Sequence, residues 1–198
     1  MVASVIVTTA LAACAAYLVG SIPTGPLLAS ARGIDLRAVG SGNIGATNVA
    51  RALGKKLGVV VLVGDALKGF LPVLLARVAL GLPAPAVAVI GFAAFVGHLF
   101  PIYLGLRGGK GVATAAGIFL AMAPLATALA LAVWVALFLP WRIVSIASLG
   151  AVLVFPVALW LTRAPSAFAV CALLVLVLIV WKHRGNLARI WKRAEQKL

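Results

Sequence analysis

Seven long apolar stretches dominate this 198-residue sequence, at residues 2–22, 57–80, 84–104, 112–123, 124–140, 143–162 and 165–182. A helix of about 20 apolar residues crosses the hydrocarbon core of a bilayer, and within lipid only helices and closed barrels satisfy every backbone donor and acceptor. The stretches lack the two-residue alternation of barrel strands, so the expected fold is an all-α polytopic membrane protein, a single integral domain over residues 1–198. The chain is 65% hydrophobic with a mean hydropathy of +1.22, more than one soluble core could bury. No charged segment precedes the first apolar stretch, which is therefore expected to be a span and not a cleaved leader. Neither a soluble domain nor an internal repeat is evident.

Charge sets the count of spans. Three polar stretches interrupt the apolar ones: Arg32 to Lys56, Leu106 to Gly111, and Lys182 to Leu198. The ambiguous region is 112–140, one overlong helix or two short ones broken at Pro124, since proline removes a backbone donor and disfavours helix continuation. With one span there, the basic tail (Lys182, Arg184, Arg189, Lys192, Arg193, Lys197) falls opposite the first two basic stretches. With two, all three share one face and Arg142 joins them, leaving only Arg77 and Arg163 near the other. The positive-inside rule makes the basic face cytoplasmic. Seven transmembrane helices are expected, with the N-terminus outside, the C-terminus cytoplasmic, the fourth and fifth spans short, and cytoplasmic segments at about 31–56, 105–111, 140–143 and 182–198.

The same charge narrows the chemistry. There are 17 Lys and Arg against three acids, Asp35, Asp65 and Glu195. In a soluble chain that balance would suggest nucleic acid; here it is the signature of orientation and attraction to anionic lipid, and no nucleic-acid partner is expected. Three acids are too few for a carboxylate cage around Mg²⁺ or Ca²⁺. Cys14 and Cys171 both lie in apolar stretches with no metal-ligand spacing, so neither metal nor cofactor is expected.

The first polar stretch contains Gly40-Ser41-Gly42-Asn43-Ile44-Gly45-Ala46-Thr47-Asn48-Val49-Ala50-Arg51. Glycines let a backbone turn tightly and approach a ligand. Ser41, Asn43, Gly45, Thr47 and Asn48 offer small polar groups and main chain, and Arg51 a fork suited to phosphate oxygens. The plainer alternative is a flexible loop with helix-capping Asn and Thr. The second stretch, Arg107-Gly108-Gly109-Lys110-Gly111, opens directly into a predicted helix that carries Thr114. A glycine-rich turn at a helix N-terminus presents unpaired N–H groups and a positive dipole end, an anion site, which Lys110 and Arg107 reinforce. It is not a nucleotide loop of the Gly-x₄-Gly-Lys-Ser/Thr kind: Leu104 and Gly111 occupy the positions that need glycine and hydroxyl. The alternative is a topological anchor on a flexible turn. In the third stretch, helical spacing puts His183, Asn186 and Arg189 or Ile190 on one face, either as phosphate donors and base or as part of an interfacial amphipathic tail with Trp181 and Trp191 in the headgroup belt. Within the apolar stretches, Asp65 and Lys68 can neutralise each other at i, i+3, and His98 is expected to be a hydrogen-bonded structural residue.

Taken together and in order, these pieces resemble the bacterial acyl-phosphate:glycerol-3-phosphate acyltransferases. The resemblance runs through Gly20-Ser21-Ile22-Pro23-Thr24-Gly25, Ser41-Gly42-Asn43 to Arg51, Asp65 with Lys68-Gly69, Gly97-His98-Leu99-Phe100-Pro101, Gly108 to Thr114, and His183 with Asn186. It implies a multi-pass enzyme of the bacterial inner membrane, active site facing the cytoplasm, that moves a fatty acyl chain from acyl phosphate to the 1-hydroxyl of sn-glycerol 3-phosphate. It also implies a functional link to an enzyme that makes acyl phosphate. Ser41, Arg51, His183 and Asn186 match residues needed for or supporting activity; Gly108 to Gly111 match a loop associated with glycerol 3-phosphate; Glu195 matches an acid that supports integrity. Arg107 departs from the family's usual lysine, Lys182 from its usual arginine, and Arg193 stands near a usual glycine. The His-x₄-Asp pair of other glycerolipid acyltransferases is absent, with Tyr103 after His98 and Ala188 after His183. The expected mechanism is direct transfer without an acyl-enzyme: Lys110, Arg51 and His183 bind phosphate charge, and Ser41 and loop N–H groups orient. The proton passes to a substrate phosphate or to His183, and the acyl tail lies between helices. The competing readings are a small transporter for an anionic metabolite and a structural subunit with glycines for close helix packing.

Overall fold

A computed structural model describes residues 2–198. Every regular element is helical: α1 Val2–Gly20, α2 Thr24–Ser30, α3 Ala46–Leu53, α4 Lys55–Leu74, α5 Ala84–Leu99, α6 Val112–Met122, α7 Pro124–Trp141, α8 Val144–Leu161, α9 Ser166–Lys182 and α10 Arg184–Trp191. Each of the seven apolar stretches forms one helix, because lipid leaves the backbone no other partner than itself. The break at Pro124 is real. α6 ends at Met122 and Pro124 opens α7 at its first position, where the missing N–H has no intrahelical role.

Five segments are long and apolar enough to cross a membrane: Val2–Ser30, Lys55–Ala79, Ala84–Leu104, Pro124–Trp141 and Val144–Leu161, with α9 and α10, bent by 56°, forming a possible sixth as a pair. α6 has only 11 residues, about 16 Å at a rise of 1.5 Å per residue. Of the two spans expected to be short, α6 is short and α7, at 18 residues, is not. The first basic stretch, expected to be a loop, carries a helix of its own, α3, and the tail, for which helical spacing was considered, carries α10.

The helices carry little amphipathic signal because their outer surface meets lipid. Leu11, Val78, Val177 and Trp160 stand more than half exposed on the outside, while Phe95, Ile90, Leu99, Ile118, Leu159 and Ile179 fill the interior. Small residues permit the closest approaches. Gly20 of α1 faces the Ala94 backbone of α5, and Gly97 of α5 lies against the Tyr17 to Ser21 backbone, so a side chain at either glycine would collide with main chain. The far end of α6 is capped by charge: Arg77 donates to the carbonyls of Ala121 at 2.7 Å and Met122 at 3.1 Å, groups the helix leaves unpaired. A second, smaller cluster of Ala29, Leu36, Val49 and Val61 seats the first basic stretch on α4.

Candidate active site

The first loop is shaped by its own asparagines. Gly40 (φ 57°) and Gly42 (φ 67°) take left-handed conformations that favour glycine, and the turn they make wraps over Asn48 in α3. Asn48 is 1% exposed. Its Oδ1 accepts from the Ser41 N–H at 2.9 Å, and its Nδ2 donates to the carbonyls of Leu36 and Val39 at 3.0 and 3.1 Å. The Asn43 Oδ1 accepts from the Gly45 N–H at 2.9 Å. Both amides therefore hold the loop in place, and Asn48 has no surface for a ligand. What they present is Ser41, which is exposed, with Thr47 and Arg51 half-buried on α3. Arg51 donates to the Gln196 carbonyl of the tail at 3.0 Å.

The second loop is bracketed onto the end of α5. The Gly108 N–H donates to the Leu99 carbonyl at 3.1 Å and the Gly109 N–H to the His98 carbonyl at 3.2 Å, satisfying two of the acceptors that α5 leaves over. Gly111 (φ 83°) then turns the chain into α6 with no side-chain cap, leaving the first N–H groups of that helix without an intrahelical partner. Lys110 reaches from this turn to the tail, its Nζ donating to the Asn186 Oδ1 at 2.5 Å. Arg107 is exposed, and its carbonyl accepts from Arg37 at 2.9 Å. Thr114 is fully buried, and its hydroxyl has no partner among the described residues.

The tail closes the arrangement. The chain bends at His183, between α9 and α10, so His183 and Asn186 turn inward and are 2% and 5% exposed. Glu195 folds back beneath them. Its carboxylate accepts from Asn186 Nδ2 at 2.5 Å, Ser145 Oγ at 2.9 Å and Arg189 Nε at 2.7 Å. Glu195 thus fixes the Asn186 amide with its oxygen toward Lys110. Burial would push the Glu195 carboxyl up, but the hydrogen bonds from Asn186, Arg189 and Ser145 outweigh it and hold the group below the usual carboxylate range. The Lys182 ammonium donates to the Leu99 carbonyl at 3.0 Å and lies over the Phe100 ring. The Leu198 N–H donates to the Arg142 carbonyl at 2.9 Å, so the α7–α8 turn joins the same end of the bundle.

Three cations, Lys110, Arg51 and Arg189, gather around one carboxylate. Burial, joined by the Arg189 and Arg51 charges and opposed by Glu195, lowers the Lys110 ammonium to about 8. Burial likewise lowers Arg51, countered by Glu195. A surplus of partly desolvated positive charge beside an uncapped helix N-terminus favours an anion. His183 differs. Burial and the Lys110 charge push it down to about 4, so it is neutral near pH 7. Its Nδ1 lies 2.8 Å from the Ile179 carbonyl, which can only accept, so Nδ1 carries the hydrogen and Nε2 the lone pair. His183 therefore offers an acceptor, in keeping with the base and not the phosphate donor of the two roles the sequence left open.

Asp65 and Lys68 pair at 2.9 Å as their spacing implied; Thr24 also donates to Asp65, and Lys68 to the Ile22 carbonyl. His98 is not hydrogen-bonded as expected: its Nδ1 is buried without a partner, 3.8 Å from the Asp65 carboxylate. Ser145 carried no signal in an apolar stretch, whereas Arg189 was already on the face of His183 and Asn186, and Glu195 was one of only three acids. Behind the second loop, starting at Val112, a cavity of about 100 Å³ is lined mainly by apolar side chains, among them Ala115, Phe119, Trp134, Phe155 and Val175, with Thr127 as its one hydroxyl.

A family model described as glycerol-3-phosphate acyltransferase matches residues 10–193. Among curated relatives, the glycerol-3-phosphate acyltransferase of Geotalea daltonii is 49% identical over 88% of this chain and 90% of its own. That of Myxococcus xanthus is 49% identical over 91% and 95%, and that of Aquifex aeolicus 42% over 92% and 95%. The fold is similar to crystal structures of PlsY, an integral membrane glycerol 3-phosphate acyltransferase. The glycerol 3-phosphate form superposes with a TM-score of 0.93 at 40% identity, over 96% of each chain. The lysophosphatidic acid form superposes with a TM-score of 0.90 at 39% identity, over 96% of this chain and 95% of that one.

Proposed function

This chain belongs to the glycerol-3-phosphate acyltransferase family, and on that premise we propose that it moves a fatty acyl group from acyl phosphate to the 1-hydroxyl of glycerol 3-phosphate, releasing lysophosphatidate and phosphate. The observation that carries the reading is the tie from Lys110 through Asn186 to Glu195, which brings the glycine-rich turn and the tail to one site beside Arg51. Glycerol 3-phosphate sits with its phosphate on Lys110, Arg51 and the N–H groups that open α6, with Ser41 and Thr47 at the rim. Acyl phosphate enters from the bilayer side, its chain along the apolar cavity behind Val112.

An acyl phosphate is a mixed anhydride with a good leaving group, so positioning and charge stabilisation supply most of the catalysis and no covalent enzyme intermediate is needed. The glycerol oxygen forms a bond to the acyl carbonyl carbon, the carbon–oxygen bond to phosphate breaks, and the electron pair leaves with phosphate. His183 Nε2 accepts a hydrogen bond from the attacking hydroxyl and aims it. A group held at about 4 is a weak base; a phosphate whose second ionisation lies near 6 is stronger, so the departing phosphate takes the proton. Asn186, its carbonyl fixed toward Lys110, holds that ammonium in the site.

Seven crossings and a cytoplasmic site complete the proposal. The contacts from Arg37 to Arg107, Lys110 to Asn186, Arg51 to Gln196 and Leu198 to Arg142 gather the basic stretches together, and Arg77 caps the opposite end of α6, which supports reading the short α6 as one of the crossings. With the positive face inside, the protein lies in the bacterial inner membrane with a cytoplasmic site, fed by an enzyme that makes acyl phosphate. The test is purified protein with acyl phosphate and glycerol 3-phosphate. Lysophosphatidate should form, with no acyl-enzyme in quenched reactions. A folded protein that makes no product would overturn the activity, and an acyl-Ser41 would overturn direct transfer.

A further inference from the structure

We propose that His98 is a positioning residue: its imidazole is the stop against which the Gly108–Gly109 backbone seats, and it thereby sets where Lys110 meets the substrate phosphate. The inference rests on the reading of Lys110 as a glycerol 3-phosphate ligand. His98 is 4% exposed, on the last turn of α5. One edge of its ring faces the buried Asp65–Lys68 pair, with Nδ1 3.8 Å from the Asp65 carboxylate and without a hydrogen-bond partner. The other edge faces the loop. A Cβ on Gly109 would meet the imidazole at Nε2 and Cε1, and one on Gly108 would meet the His98 carbonyl. The two loop N–H groups that donate to the Leu99 and His98 carbonyls hold the loop down on this surface. Lys110 follows directly.

The ring therefore stands between a buried charge pair and the loop backbone. Asp65 is held by Lys68 and Thr24, and Lys68 by the Ile22 carbonyl, so the far side of the ring cannot yield without breaking buried polar contacts. On the near side only glycine lets the main chain come this close, which gives Gly109 a reason to lack a side chain that has nothing to do with its own φ angle. A displaced Gly109 would carry Lys110 away from Asn186, to which it bonds at 2.5 Å.

The test is a double-mutant cycle in full-length enzyme reconstituted in lipid, reading KM for glycerol 3-phosphate, KM for acyl phosphate and kcat. Gly109→Ala should raise KM for glycerol 3-phosphate about tenfold with KM for acyl phosphate unchanged. His98→Ala should raise it severalfold. The double variant should lie closer to wild type than the product of the two factors, by about tenfold, because the new methyl enters the space the ring vacates. His98→Asn, shorter but polar, serves in the same cycle should His98→Ala not fold. Factors that simply multiply, or a Gly109→Ala effect on kcat alone, would overturn the positioning role. Lys110→Ala separates the levels: if it raises KM for glycerol 3-phosphate while the cycle multiplies, this inference fails and the site stands; if it leaves that KM unchanged, the site itself fails.

Discussion

At the residue scale, the site depends on what surrounds Lys110 and Glu195. A lysine held at about 8 is charged below that pH and neutral above it, and a bound phosphate dianion would favour its charged form. KM for glycerol 3-phosphate should thus be flat from pH 7 toward 8 and rise above it, approaching tenfold per pH unit. A flat profile to pH 9.5 would show that the Lys110 ammonium is not held near 8. Glu195 holds the Asn186 amide and Arg189 together. Glu195→Ala leaves Asn186 free to turn its oxygen away from Lys110, so activity should fall at least tenfold and the thermal midpoint should drop; hydrogen bonds to charged groups contribute about 1.5–3 kcal/mol each. Because its carboxyl is held below the usual range, Glu195 stabilises the fold above that range and the contribution is lost as pH falls through its folded value. Melting curves at falling pH should converge for wild type and Glu195→Ala.

The residue types of the site were legible in the sequence, since glycines beside Lys110 and an inward face of His183 and Asn186 follow from local rules. Their use was not. Asn48 looked like a ligand and is instead the peg that the first loop wraps, because side-chain amides compete for nearby backbone wherever a loop passes close. Ser145 could not be found at all: one of two serines in the first turns of an apolar run, it gains meaning only when Glu195, 50 residues on, folds against it.

At the element scale, α6 is the exposed weakness, an 11-residue helix whose opening N–H groups face the site and whose closing carbonyls rest on Arg77. Arg77→Ala should destabilise the protein by about 1.5–3 kcal/mol through the lost charged donor. It should leave KM for glycerol 3-phosphate nearly unchanged, being at the opposite end of the helix. Thermal unfolding and kinetics on the same preparation check both halves. The long apolar helices were legible because lipid imposes a single solution on such sequences. α3 was not, since short polar helices draw their stability from docking, here on α4; the helical face of α10 was legible, but its docking through Asn186 and Arg189 on Glu195 was not.

At the scale of the whole molecule, four contacts collect the basic stretches at one end. On the proposed topology of seven crossings, residue 163 lies outside and the tail inside. In a background with Cys14 and Cys171 replaced by Ala, an impermeant maleimide on intact spheroplasts should label Arg163→Cys and spare Lys197→Cys. The reverse pattern would rule out this topology.

The central claim is that Lys110, set in the glycine turn and braced by Asn186, holds the phosphate of glycerol 3-phosphate. Steady-state kinetics of Lys110→Ala in lipid test it most directly. A rise of tenfold or more in KM for glycerol 3-phosphate, with KM for acyl phosphate within twofold of wild type, is the predicted result. An unchanged KM for glycerol 3-phosphate in an active enzyme would contradict it.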